Sequence, residues 1–171
     1  MDAVEAILKR RSIRRYQPRD IEEEKIDTLI ECARRAPSAG NRQPWKFIVV
    51  RNSEVRRELA HAAFDQNFVA EAPVVIVVCC DPEVSASRYE DRGRSLYVFQ
   101  DTAAACENIL VAACALGLGA CWVGAFRESE VRKILSLPAN LRPVAMTPVG
   151  YPAEEREPRN LRPLEEVVTR V

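Results

Sequence analysis

Hydrophobic and polar positions repeat along this chain with the periods of both helices and strands. Apolar Ile26, Leu29, Ile30 and Ala33 recur at i, i+3, i+4 and i+7, the spacing of one face of an amphipathic helix. The residues Asp20-Ile21-Glu22-Glu23 before it read as a capping box, so we expect the helix to begin there. Other segments with helical character are residues 3–9, where Asp2 is a candidate N-cap, residues 54–63 and residues 127–136.

Four segments have the composition of β-strands. The run Pro73 to Cys80 is continuously apolar and predicts a strand buried on both faces at the centre of a sheet. The other predicted strands are Trp45–Val50, Ala120–Ala125 and Val144–Tyr151, with Trp45 and Trp122 expected in the core. Because helices do not separate all of these strands, the pattern predicts an α+β fold on one sheet, and 171 residues fit a single domain spanning 1–171.

The second half of the chain predicts one long buried helix followed by an unpacked tail. Arg94 to Leu116 contains no Gly or Pro, and its second half is apolar on most sides, so we expect it to be buried, one way being against another subunit. Gly117 is its predicted C-cap. Residues 81–93 are polar and are predicted to form a loop, a candidate lid. The tail from Pro152 is polar enough that we expect it to reach a partner.

Charge and targeting signals narrow the class of protein. Formal net charge is zero, so no global field attracts nucleic acid or an anionic membrane. We find no export signal, and no apolar stretch reaches the ~20 residues of a membrane-spanning helix, which predicts a cytoplasmic protein. Six cysteines without a C-x-x-C pair and a lone histidine, His61, predict no metal site; we interpret the cysteines as small buried hydrophobes and His61 as a surface residue.

Four segments are candidates for binding chemistry. Arginines at 10, 11, 14 and 15 around Ser12 present planar donor forks suited to phosphate, although a solvated basic face or a nucleic-acid patch remains an alternative. Residues 37–45 form a loop rich in neutral donors and acceptors, or an ordinary connection between a helix and a strand. Residues 117–124 lack Rossmann spacing, but Gly124 permits close approach of backbone to a ring. The last segment carries Arg156, Arg159 and Arg162.

In this order, the segments resemble the FMN-dependent nitroreductase family over nearly the whole chain. The shared motifs are the Arg-Ser-x-Arg run, Pro-Ser-x-x-Asn-x-Gln-Pro-Trp (37–45), Ala72-Pro73 before an apolar strand, Gln100-Asp101 opening a helix, Gly-Leu-Gly-x-Cys-Trp-x-Gly (117–124) and Gly-Tyr-Pro (150–152). The resemblance implies a central, mostly antiparallel sheet flanked by helices. It also implies a homodimer in which the long helix and a swapped C-terminal tail form the interface.

The resemblance also assigns site residues. Arg10, Arg11, Ser12 and Arg14 match the segment that holds the FMN phosphate and ribityl chain, with Arg14 reaching the pyrimidine edge. The loop lent by the second subunit corresponds to Pro37, Ser38, Ala39, Asn41 and Gln43. Gln66 or Asn67 matches an amide at the pyrimidine edge, and Val123 and Gly124 match backbone along the isoalloxazine ring. Arg159 and Arg162 match phosphate ligands from the tail.

The implied activity is transfer of hydride from NADPH or NADH, through FMN, to a small electron-poor acceptor such as a nitroaromatic or a quinone, in a ping-pong scheme. The flavin carries this chemistry, so no catalytic triad is expected. Reductive dehalogenation, flavin fragmentation and flavin binding without turnover remain open on the same scaffold. Residues 81–93 stand where larger members carry helices over the flavin, and Tyr89, Arg92 and Tyr97 are candidates to contact the acceptor.

Overall fold

A computed structural model describes residues 1–158 and 160–171, and its centre is one antiparallel sheet. The strands are β1 (Trp45–Val50), β2 (Val74–Cys80), β3 (Gly119–Ala120) and β4 (Arg142–Gly150). They lie in the order β1-β2-β4-β3, and each neighbouring pair is antiparallel. Every residue of β2 is buried, so its predicted position at the centre of the sheet is confirmed.

Helices cover both faces of the sheet. They are α1 (Ala3–Lys9), α2 (Glu23–Arg34), α3 (Ser53–Ala62), α4 (Phe68–Glu71), α5 (Pro82–Arg92), α6 (Val98–Ala115), α7 (Glu128–Ile134) and α8 (Leu164–Val167). Alternate residues of β2 point to opposite faces. Ile76 therefore joins one apolar cluster with α2 and α6, and Val77 joins a second cluster with α3, α4 and α7. The predicted α+β class is confirmed.

The long apolar helix is buried mainly by its own chain. A π-helical turn, Gly93–Tyr97, leads into α6, which packs on α2 and the sheet through side chains that include Ile109 and Ala113. Gly117 follows the helix with φ of 73°, the left-handed conformation of a helix C-terminus, and the Leu118 N–H donates to the Ala113 carbonyl at 2.8 Å. The predicted helix end is confirmed.

Three sequence-based predictions are wrong. Most of the segment predicted as a loop over residues 81–93 forms helix α5, because the Asp81 side chain accepts from the Glu83 N–H and Pro82 occupies the first turn. Helix α2 begins at Glu23 after Glu22, and Asp20 does not cap it. The strand predicted over 120–125 ends at Ala120, and Trp122 is 38% exposed rather than in the core.

The exposure of the C-terminal tail and the burial of most cysteines follow the sequence-based predictions. From Glu155 onward every described residue is exposed, as expected for a tail without a place on its own domain. Cys79, Cys80, Cys106 and Cys121 are buried as predicted, whereas Cys32 and Cys114 are only half-buried, and His61 is exposed. In the part of the chain that the structure describes, no helix is long and apolar enough to span a membrane. The cytoplasmic location stays a prediction.

Candidate functional site

The arginine-rich segment after α1 is attached to the short edge strand of the sheet. Ser12 pairs with Ala120 in a parallel bridge, and the Ile13 N–H donates to the Ala120 carbonyl at 3.0 Å. Gly119 allows this approach, because a Cβ added there would lie 2.7 Å from Ile13 Cγ2. The backbone of residues 12 and 13 is therefore fixed on β3.

A cavity of about 560 Å³ opens beside this segment. Its polar lining comes from Arg10, Arg11 and Ser12 together with Arg156 and Glu157 of the tail. Arg11 Nη1 donates to the carbonyls of Leu8 and Arg10, both at 2.8 Å, while its Nε is buried without a hydrogen-bond partner. A buried guanidinium nitrogen without a partner is costly.

Two carboxylates, those of Glu107 and Glu154, contact the arginines of this segment and of the tail. Arg10 Nε lies 3.3 Å from Glu107 Oε1 on α6. Glu154 Oε1 accepts from the Arg14 backbone N–H at 2.6 Å and from Arg156 Nε at 2.8 Å. The hydrogen bond from Arg156 lowers the pKa of Glu154. Sequence reasoning missed Glu154, and its only signal was its position two residues after the Gly-Tyr-Pro motif.

The segments predicted at the pyrimidine edge lie together near Arg14. The Arg14 guanidinium carbon is 5.5 Å from the Phe68 ring centre, next to exposed Asn67. Gln66 Nε2 donates to the Ala125 carbonyl at 3.1 Å, so the chain around Gln66 touches the residue after Gly124. Arg14, the 66–67 segment and the turn at 124 are thus brought to one region.

Residues 123 and 124, both predicted to lie along the ring, differ in the accessibility of their backbone. Val123 is buried and exchanges two hydrogen bonds with Met146, at 2.8 and 2.9 Å. Gly124 is exposed, and the nearest heavy atom to an added Cβ is Trp122 Nε1 at 3.6 Å. A flat ring therefore has room against the Gly124 backbone.

The loop of residues 37–43 is held in an unusual backbone conformation. Gly40, Asn41 and Gln43 have φ of 57°, 55° and 52°, which costs energy for the two residues that are not glycine. The Ser38 hydroxyl accepts from the Gln43 N–H at 2.9 Å, and the Gln43 side chain donates to Asn41 Oδ1 at 3.2 Å. Pro37 is exposed at the start of the loop.

Asp101 anchors this loop to α6. Its Oδ1 accepts from the Ala39 N–H at 3.0 Å, and its Oδ2 is buried without a partner. Burial raises the pKa of Asp101. Sequence reasoning used Asp101 as part of a motif and did not identify this anchoring contact.

A single chain does not bring every predicted residue to the cavity. Among the described residues that line it, none comes from the 37–43 loop, whose anchor lies at the opposite end of α6 from the residues beside Arg10 and Arg11. Arg162 pairs with Glu166 of its own tail at 3.1 Å. Arg159 lies outside the described residues.

With this geometry established, comparisons with known proteins define the class. The sequence model of the Nitroreductase family matches residues 7–73 and 61–151. The NADH dehydrogenase of Thermus thermophilus is 37% identical over 195 residues, covering 98% of this chain and 95% of that protein.

Solved structures agree in fold. A nitroreductase family protein of Streptococcus pneumoniae superposes with a TM-score of 0.91 at 27% identity, covering 99% of this chain and all of that one. The NADPH:FMN oxidoreductase of Vibrio harveyi, solved with NAD⁺, superposes with a TM-score of 0.89 at 30% identity over 98% of this chain and 76% of that one. The chain belongs to the nitroreductase family.

Proposed function

We propose that this chain is an FMN-dependent NAD(P)H oxidoreductase that reduces a small electron-poor acceptor of the nitroaromatic or quinone type. The observation that carries the proposal is the cavity lined by Arg10, Arg11, Ser12 and Arg156, three arginines around a serine hydroxyl. The matching relatives include an NADPH:FMN oxidoreductase. Bound FMN supplies the redox chemistry, and the protein supplies binding, orientation and electrostatics.

The residues of this chain divide that work by position. Arg10, Arg11 and Ser12 offer donors that match a phosphate dianion and the hydroxyls of a ribityl chain. Arg14 brings a fixed positive charge to the region shared with Gln66 and Gly124, where it would stabilise negative charge on the pyrimidine edge of a bound flavin. The bare backbone at Gly124 leaves space for the ring and for a substrate stacked on it.

A second copy of the chain completes this site in our proposal. The 37–43 loop lies away from the cavity of its own chain, so its exposed donors serve the site of the partner. Large apolar side chains are exposed on α1 and on the tail, including Ile7, Leu8, Leu161 and Leu164. Burying them in a homodimer recovers hydrophobic free energy. We expect Arg162 of the tail to reach a phosphate in that dimer.

The test is the visible absorption spectrum of the purified protein before and after anaerobic addition of NADPH. We expect a flavin spectrum that bleaches, followed by re-oxidation when a quinone is added. Arg11→Gln should weaken FMN binding about 10- to 100-fold, because a charge-assisted hydrogen bond is lost. Arg34→Gln, which breaks only an exposed ion pair with Glu31, is the matched control and should bind FMN normally.

Two results would contradict the proposal. A colourless protein that does not take up added FMN removes the cofactor assignment. A yellow protein that NADPH and NADH fail to reduce identifies flavin binding without turnover. Sedimentation of Leu164→Asp tests the dimer separately: a monomer is expected, and an unchanged dimer shows that the tail does not form the interface.

A further inference from the structure

Helix α5 lies directly on the 37–43 loop. The Arg42 guanidinium crosses from the loop to α5, where it donates to the Ser87 hydroxyl at 2.7 Å and to the Val84 carbonyl at 3.2 Å. The Tyr89 hydroxyl is so close to the loop backbone that a Cβ added at Gly40 would lie 2.6 Å from it. In the proposed dimer the loop contacts the flavin of the partner subunit. A substrate stacked on that flavin therefore meets side chains of α5.

Two tyrosines and two further arginines continue this surface. The rings of Tyr89 and Tyr97 are 5.2 Å apart in an edge-to-face arrangement. Arg88 lies 5.7 Å from the Tyr89 ring centre and Arg92 5.3 Å from the Tyr97 ring centre. Arg92 Nε also donates to the Tyr97 hydroxyl at 2.9 Å. The guanidiniums are thus held against aromatic rings rather than left free in solvent.

Three arginines of this surface make no ion pair within the described contacts. Arg94 takes both carboxylate oxygens of Glu83 and one of Asp91, all at 2.9 Å. Arg42, Arg88 and Arg92, by contrast, make no ion pair in the part of the chain that the structure describes, although most other described arginines do. Helix α5 also carries the acidic residues Glu83, Glu90 and Asp91, so the three arginines are distinguished by their lack of an ion pair and not by an excess of positive charge.

We propose that Arg42, Arg88 and Arg92, with Tyr89 and Tyr97, form a substrate-selecting rim that favours an anionic group on the molecule stacked at the flavin. This inference rests on the proposed function. Guanidinium forks bind carboxylate and phosphate alike, so the chemistry is shared by two sources. One is the 2′-phosphate that distinguishes NADPH from NADH, and the other is a carboxylate on an aromatic acceptor.

Matched pairs of substrates test the rim and separate these sources. The ratios of kcat/KM for NADPH over NADH, and for 4-nitrobenzoate over 4-nitrobenzamide, are measured in the wild type, Arg88→Gln, Arg92→Gln and the double variant. Each single variant should lower a ratio about two- to five-fold and the double variant roughly ten-fold, the range of exposed ion pairs. Because each ratio comes from one enzyme sample, it is independent of how much FMN is bound.

A binding measurement gives a readout besides turnover. Calorimetric titration with adenosine 2′-monophosphate and with adenosine should show a preference for the phosphate that decreases in the double variant and at high salt. Arg57→Gln, which breaks an exposed ion pair with Glu54 on α3, is the charge-matched control and should leave the ratios and the preference unchanged.

Each outcome either identifies the substrate that the rim selects or overturns the inference. A fall in the NADPH ratio alone assigns the rim to the electron donor, a fall in the nitrobenzoate ratio alone to the acceptor, and a fall in both to a common subsite. Unchanged ratios and an unchanged preference for the phosphate in an enzyme that turns over overturn this inference and leave the proposed function intact. A protein without turnover of NADH and 4-nitrobenzamide removes the proposed function, and the rim as a selector falls with it.

Discussion

Replacing Gly119 with alanine tests whether the arginine-rich segment depends on close contact with the edge strand. The added Cβ would lie 2.7 to 2.8 Å from Cβ, Cγ1 and Cγ2 of Ile13. Because real contacts are longer and Ile13 is buried, the segment must move away from β3. Overpacking of this kind costs about 1–3 kcal/mol.

The loss is measurable in two assays. At about 2–4 °C per kcal/mol for a domain of this size, the melting temperature of the FMN-free protein should fall by about 2–12 °C. Displacement of Arg11 and Ser12 should weaken FMN binding about tenfold, which corresponds to about 1.4 kcal/mol. Calorimetric unfolding and fluorescence titration with FMN give the two values.

The matched control is Gly124→Ala, whose added Cβ meets nothing closer than 3.6 Å. Its melting temperature should stay within about 2 °C of the wild type, since surface changes usually cost under 0.5 kcal/mol. A Gly119→Ala protein that melts and binds FMN like the wild type would refute the reasoning, because the contact with Ile13 would then not position the segment.

Two other substitutions probe ionisable groups. Asp101→Asn keeps an acceptor for the Ala39 N–H and removes a carboxyl whose pKa burial raises above the ordinary 3.8. The folded wild type binds that proton more tightly than the unfolded chain, so its stability decreases as the pH rises from about 4 to the folded pKa. Relative to the wild type, the variant should therefore gain unfolding free energy over this window in urea titrations, and a difference that does not vary with pH contradicts the assignment. Tyr151→Phe removes the hydroxyl that donates to Glu22 Oε2 at 2.6 Å, so the pKa of Glu22 should rise from about 2 towards 4.5 in an NMR titration, with an unchanged value as the contrary result.

Periodicity predicted the elements in which each face is either fully covered or fully exposed. Strand β2 is apolar at every position because both faces are covered, and α2 is amphipathic because only one face is. Helix α5 was missed because its composition is polar; only Ser85 and Ala86 of its residues are buried. A helix that packs through two small side chains leaves no apolar period in the sequence.

Sequence motifs reach only part of the candidate site for a similar reason. Local motifs led to Arg11, Gly124 and the 37–43 loop as candidates, since their chemistry is contained in a few consecutive residues, and their roles toward FMN stay predictions. Glu154 depends on a contact with Arg14 across 140 positions, and no local pattern encodes such a contact. The predicted roles of Arg159 and Arg162 depend on a second chain, and they stay predictions.

The edge at which Ser12 meets Ala120 has a consequence for the order of events during synthesis. The segment around Arg14 is completed by residues far along the chain: the Tyr16 hydroxyl bonds the Pro148 carbonyl, and the Arg14 N–H bonds Glu154. Residues as far along as Glu154 must therefore leave the ribosome before the segment around Arg14 has its native supports, since contacts of such long sequence separation form late.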